Sequence, residues 1–162
     1  MIWILTTGGT IEGLEYNEES HNTNAPLSIE HQLQSLNVSF NFKFYNAFSK
    51  DSRFITADDR KFLKEKIHSI NSKHILITHG TITMVETATY LGKLELDKTI
   101  VLVGSFILGT EENSDASFNI GYAICALQIL EKGVYIAMNG KIFPWNNVRK
   151  NSAKNRFEKN VD

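Results

Sequence analysis

The sequence has one cysteine, Cys125, and two prolines among its 162 residues. A lone cysteine cannot form an internal disulfide, and its place in the apolar stretch "YAICALQIL" marks it as a core residue. No Cys/His spacing suggests a zinc site, and the five histidines are scattered, so no metal is expected. Two prolines leave little room for a Pro-rich hinge, and neither a repeat nor a low-complexity linker is visible. A strong excess of either charge is absent too. A net charge of −1 argues against nucleic acid as a main partner, because phosphate binding needs a strong basic excess or patch. The short basic run "VRKNSAKNRFEK" reads as a solvated helix face. No apolar run is long enough to cross a membrane. The start "MIWILTTGG" lacks a basic n-region and a cleavage site. These absences lead to the expectation of a soluble, cytoplasmic protein with no membrane or nucleic-acid partner.

What remains is an ordinary core-forming composition, 42% hydrophobic and 22% charged, enough for one domain over residues 1–162. "MIWILT" (1–6) is a short apolar run of the kind found in buried strands. Residues 12–27 are polar without a period and read as a long loop. Ser28 caps a short helix, "SIEHQLQSL". In "VSFNFKFY" (38–45), Val38, Phe40, Phe42 and Phe44 alternate onto one face, which predicts a half-exposed strand near a sheet edge. Thr56 and Asp59 are spaced as a capping box for a helix whose buried stripe is Phe62, Leu63, Ile67 and Ile70.

"HILIT" (74–78) and "TIVLVG" (99–104) are further strands, with "TMVETATYLGKL" as the helix between them. A long helix is predicted from about Ser114 to Leu130, stopped by Gly133. "VYIAM" (134–138) is a fifth strand, and Asn139-Gly140 signals a hairpin before "KIF". This alternation predicts an α/β fold with a mostly parallel open sheet and helices on both faces. Such sheets bind ligands beyond the carboxyl ends of their strands.

Two strands end in similar punctuation. Thr7-Gly8-Gly9-Thr10 follows the first; Thr78-His79-Gly80-Thr81, then Thr83, follows the third. In a parallel sheet both tracts reach the same edge. Either tract alone is equally well explained by tight glycine turns and threonine caps. Two hydroxyl-rich tracts at one edge favour a site for a polar ligand. Without GxGxxG or a following GKS/GKT, phosphate binding is a weaker reading. A threonine hydroxyl is a poor nucleophile until a base takes its proton, so a base must come from elsewhere.

"TTGGTIEG" and "ITHGTITMVETATYL" resemble the two signature segments of the bacterial-type L-asparaginase/glutaminase family. "DSRFITADD", "IVLVGSF" with "SDASFNI", and "NGKIFPWNNVRKNSAKNRF" resemble further family segments in the family's order. The resemblance implies a Rossmann-like sheet of the asparaginase N-terminal domain type, with no metal or organic cofactor. It also implies hydrolysis of the side-chain amide of asparagine, and often glutamine, by a two-step acyl transfer. Carried over, Thr10 is the nucleophile. Thr81 lies across the amide carbon, and Lys150 draws its proton or that of a bound water; Lys141 and Lys154 are the competing lysines. Ser52 holds the substrate's α-carboxylate, backbone N–H groups near Gly9 and Thr81 form the oxyanion hole, and Gly80 is among the substrate-binding residues. Tyr16 is the tyrosine of the loop after the first motif. The family also implies a homo-oligomer.

Three departures from the family pattern stand out. Ile82 replaces an aspartate that binds the substrate's α-ammonium and orients the lysine. Glu12, Glu15 and Glu86 are the candidate substitutes, each with a solvated surface carboxylate as the plainer alternative. An apolar Ile82 also leaves Lys150 without an adjacent anion, which favours its neutral, basic form. Arg53-Phe54 replaces a small polar residue and an acid, and Arg53 beside Ser52 suits carboxylate binding. Finally, the chain stops where the family's first domain ends, so the C-terminal domain is expected to be absent. A non-catalytic or altered-specificity binder of amino-acid-like molecules is the alternative function, and a nucleotide-binding domain the weaker third.

Overall fold

In a computed structural model, which describes residues 1–14 and 28–160, strand and helix alternate around one six-stranded sheet. The strands are β1 (Ile2–Thr6), β2 (Phe42–Asn46), β3 (His74–Thr78), β4 (Thr99–Val103), β5 (Gly133–Met138) and β6 (Lys141–Pro144). Their order is β2-β1-β3-β4-β5-β6, all parallel except β6, which returns antiparallel to β5. The helices are α1 (Ile29–Ser35), α2 (Ala57–Ser69), α3 (Met84–Gly92) and α4 (Ala116–Ile129). A separate hairpin pairs β7 (Arg149–Asn151) with β8 (Arg156–Glu158).

The central strands are apolar throughout because both faces of the sheet are covered. Leu5, Ile75, Ile77, Ile100, Leu102 and Ile136 pack with Leu63 and Ile67 of α2 and Met84, Ala88 and Leu91 of α3. Their sequence neighbours Ile4, Leu76, Val101, Val103 and Ala137 pack on the other face with Ile29 and Leu33 of α1 and Ile120, Ile124 and Leu127 of α4. The strand period of two sorts the side chains between these cores. The α/β class, the mostly parallel sheet and helices on both faces are as expected.

Local signals set the element ends. The Ser28 hydroxyl accepts from the His31 N–H at the start of α1. Thr56 and Asp59 form a reciprocal capping box at α2. Asn139 and Gly140 both take positive φ, 48° and 77°, in the two-residue β5–β6 turn.

Several expectations are corrected. The edge strand starts at Phe42 rather than Val38: Phe42 pairs with Ile2, the first residue of β1, so residues 38–41 have no ladder partner. Val38 and Phe40 still pack on the α1/α4 core. α4 ends at Ile129 with Leu130 extended, and Gly133 opens β5 instead of stopping the helix. Cys125 is exposed, not core, and Phe62 is 40% exposed. α4 carries no charged residue in 14, so its sequence alone does not say which apolar residues face out. The basic run near the end forms the β7–β8 hairpin, not a helix. Phe157 anchors it in the α2/α3 core, and Glu158 bonds both Arg149 and Arg156. Phe143 is buried, and Trp145 lies over Gly92, where an added Cβ would come within 2.3 Å of the indole ring. Core packing thus accounts for this aromatic pair. No helix among the described residues is long and apolar enough to cross a membrane.

Candidate functional site

β1 and β3 lie side by side with Thr6 opposite Thr78, so both threonine tracts leave the sheet at the same carboxyl edge. Gly9 is held at φ 92°, ψ 177°, a conformation essentially reserved for glycine. A Cβ there would sit 2.8 Å from the Gly80 Cα and N. A Cβ on Gly80 would in turn lie 2.6 Å from the Ser52 Oγ. Glycine at these two positions therefore allows three segments to meet: the turn bearing Thr10, the turn bearing Thr81, and the 3-10 turn Ser52–Phe54. Hydroxyls stitch them together. The Thr7 hydroxyl donates to the Thr78 carbonyl at 2.7 Å, and the Thr83 hydroxyl donates to the Ser52 carbonyl at 2.6 Å.

Where they meet is a pocket of about 80 Å³, lined by Gly9, Thr10, Asp51, Ser52, Gly80, Thr81 and Ile82. It is small against the ~300–1,000 Å³ of pockets that enclose drug-sized ligands, which suits a compact polar molecule. Larger hollows, such as one of about 520 Å³ along β2, do not include these threonine tracts. Lys150, from the β7–β8 hairpin, donates from Nζ to the Thr81 Oγ at 2.9 Å. Partial burial pulls the Lys150 ammonium below its usual pKa. Its neutral form, the one able to take a proton, is correspondingly more accessible.

The second turn has a support that the sequence reading did not single out. His79 is fully buried, and burial pushes its pKa down to about 4, so the ring is neutral at neutral pH. Nδ1 is 2.8 Å from the Gly80 carbonyl, which can only accept, so Nδ1 carries the proton. Nε2 then accepts from the Thr87 hydroxyl at 2.9 Å, while Thr87 accepts from Arg60.

The fold brings Thr10, Thr81, Lys150, Ser52, Gly9, Gly80 and Ile82 together. Arg53 is outside the pocket lining. Its guanidinium binds the Asp51 carboxylate at 2.7 and 2.9 Å. Asp51 is the carboxylate residue that lines the pocket among the described residues, and the sequence reading missed it. Its signal was its place beside Ser52 in "DSR". Glu86 of α3 pairs with Arg60 of α2, and Glu12 is buried behind the first turn; neither lines the pocket. Lys141 and Lys154 are exposed elsewhere. Tyr16 and Glu15 lie outside the described residues.

The family model described as "Asparaginase, N-terminal" matches residues 1–158. The chain belongs to the asparaginase family. It is 31% identical over 160 residues to the glutaminase-asparaginase of Acinetobacter glutaminasificans, an alignment covering 91% of this chain and 48% of that one. Among solved asparaginases, the thermostable L-asparaginase from Thermococcus kodakarensis superposes with a TM-score of 0.83 at 27% identity, covering 98% of this chain and 50% of its own. The probable cytoplasmic L-asparaginase from Campylobacter jejuni gives 0.78 at 29% identity, covering 92% and 49%. The chain spans about half the length of the curated asparaginase relatives it matches.

Proposed function

We propose that this protein is an amidohydrolase of the L-asparaginase type, acting on the side-chain carboxamide of asparagine or a close relative. The observation that carries the reading is the Lys150 Nζ on the Thr81 hydroxyl, in a pocket that Thr10 also lines. In this reading the Thr10 oxygen attacks the amide carbon and forms an ester as the C–N bond breaks. The proton that Thr10 gives up ends on the departing nitrogen, which leaves as ammonia. Water, its proton drawn by the Thr81–Lys150 pair, then cleaves the ester and frees Thr10. Backbone N–H groups of the two turns carry the oxyanion, each typically worth ~3–4 kcal/mol. Ser52 holds the α-carboxylate. Asp51, in place of the family aspartate that Ile82 replaces, meets the α-ammonium. Residues 1–162 act as one N-terminal-type domain, self-associated and cytoplasmic like the placement named for the Campylobacter jejuni relative.

A second reading, a binder without turnover, is favoured by Ile82. It is 53% exposed at the pocket and supplies no charge to a substrate amine or to Lys150. Ammonia release from asparagine, glutamine and their α-blocked forms separates the two. The amidohydrolase reading expects turnover that falls by at least about 100-fold in Thr10→Ala. Saturable binding with no ammonia from any of these compounds refutes it and supports the binder.

A further inference from the structure

The first turn contains a carboxyl group for which the proposed chemistry has no use. Glu12 ends the 3-10 turn Thr10–Glu12 and is only 4% exposed. Its Oε2 accepts from the Gly8 N–H at 2.5 Å and from the Thr78 hydroxyl at 3.4 Å. Gly8 belongs to the turn that leads into Thr10. Thr78 is the last residue of β3, three positions before Thr81. One carboxyl thus touches both threonine tracts from outside the pocket lining. The buried Thr6 hydroxyl also acts on this carboxyl from β1, lowering its pKa, although it completes no full hydrogen bond among the described residues. On its other side the first turn is backed by the loop after β4, where the Gly109 N–H donates to the Thr10 carbonyl at 2.9 Å.

A buried carboxyl with no cationic partner among the described residues is costly, and a neutral side chain would be cheaper if filling space were its only task. The turn it holds carries two glycines with positive φ, Gly8 at 96° and Gly9 at 92°, so the backbone itself is permissive there. Something must choose one conformation, and the Gly8 N–H is the handle.

We propose that Glu12 is a positioning residue: its carboxyl clamps the turn bearing Thr10 against the end of the strand that delivers Thr81, and so sets the spacing of the two hydroxyls. The catalytic part of this inference rests on the amidohydrolase reading; the structural part does not. Glutamine at this position keeps an oxygen that can still accept from both the Gly8 N–H and the Thr78 hydroxyl. Alanine leaves the Gly8 N–H without its partner.

The test uses the full chain as native protein, Glu12→Gln and Glu12→Ala, with two readouts. Amide hydrogen exchange at Gly8 is followed by NMR, and kcat and KM for asparagine are measured per folded protein well below the unfolding temperature. Glu12→Ala is expected to speed Gly8 exchange by at least about 10-fold as the local clamp is lost. It should lower kcat by about 10- to 100-fold with KM changed by less than about 3-fold, because geometry rather than ground-state binding suffers. Glu12→Gln should return both readouts to within about 3-fold of native. Unchanged Gly8 exchange in folded Glu12→Ala overturns the proposal, as does native kcat in that variant. Should Glu12→Ala fail to fold, Thr78→Val removes the other end of the clamp at nearly constant volume. A lowered kcat with unchanged KM there supports the proposal, and native kcat overturns it. If the native protein hydrolyses no carboxamide, the amidohydrolase reading falls, while Gly8 exchange still decides whether the clamp exists.

Discussion

Glu12→Gln offers a stability test whose size follows from burial. Loss of hydration raises the Glu12 carboxyl from 4.5 to about 7, against the lowering effects of Gly8, Thr78 and Thr6. Below pH 4.5 the acid is neutral in both the folded and unfolded chain, and its burial costs little. As the pH rises, the unfolded chain ionises first. The folded chain then loses the stability tied to the bound proton, and the loss is nearly complete once the pH passes 7. At ~1.4 kcal/mol for each pH unit of difference, the native protein gives up about 3 kcal/mol between pH 4 and 8.

Glutamine does not titrate. The stability difference between Glu12→Gln and native should therefore grow by about 3 kcal/mol over that range, in favour of the variant. Groups such as Asp59 and Glu158, whose pKa values are lowered by their own partners, are present in both proteins and cancel. Urea unfolding followed by the fluorescence of Trp3 and Trp145 measures the difference. With an m-value of roughly 2 kcal/mol/M, the gap between the two midpoints should widen by about 1.5 M from pH 4 to pH 8. A gap constant across the range would refute the reasoning, because it would mean that the Glu12 carboxyl ionises as easily folded as unfolded.

Other outcomes follow from the same geometry. Thr56→Ala should cost ~1 kcal/mol by removing the capping box of α2, read from thermal unfolding, with ammonia release per folded protein unchanged. Gly9→Ala should cost ~1–3 kcal/mol from backbone strain alone, and the clash with Gly80 should also depress turnover; native Tm and native turnover together would contradict the close packing of the two turns. Ile82→Asp should place an anion near Lys150 and raise its pKa, moving the rising limb of the pH–rate profile, where the base loses its proton, to higher pH. A limb that stays in place would show that this limb does not report Lys150.

Much of the fold was legible because its signals are local. Apolar runs bounded by glycine and threonine marked the central strands, and the caps at Ser28 and Thr56 needed only residues three positions apart. The Asn139-Gly140 turn was readable for the same reason: it depends on which residues tolerate positive φ. The threonine tracts, Ser52 and Lys150 were singled out by motif, and the topology explains how residues so far apart in sequence come to lie together. Parallel β1 and β3 deliver both tracts to one edge, and the β7–β8 hairpin carries Lys150 back to Thr81.

The sequence by itself determined the class of the fold, the place of most helices and strands, and which hydroxyl- and amine-bearing side chains its motifs single out. Only the tertiary structure decided which carboxylate meets the pocket and which is hidden. Asp51 and Glu12 look alike as letters in a chain; one lines the cavity beside Arg53, and the other is sealed under the first turn. Cys125 turned to solvent instead of the expected core for the same reason, and Phe157, inside the basic run expected to be a solvated helix face, is pinned into the core. Burial is set by what packs against a residue from distant parts of the chain, and ionisation depends on that burial. Neither property can be read from the neighbours in sequence alone.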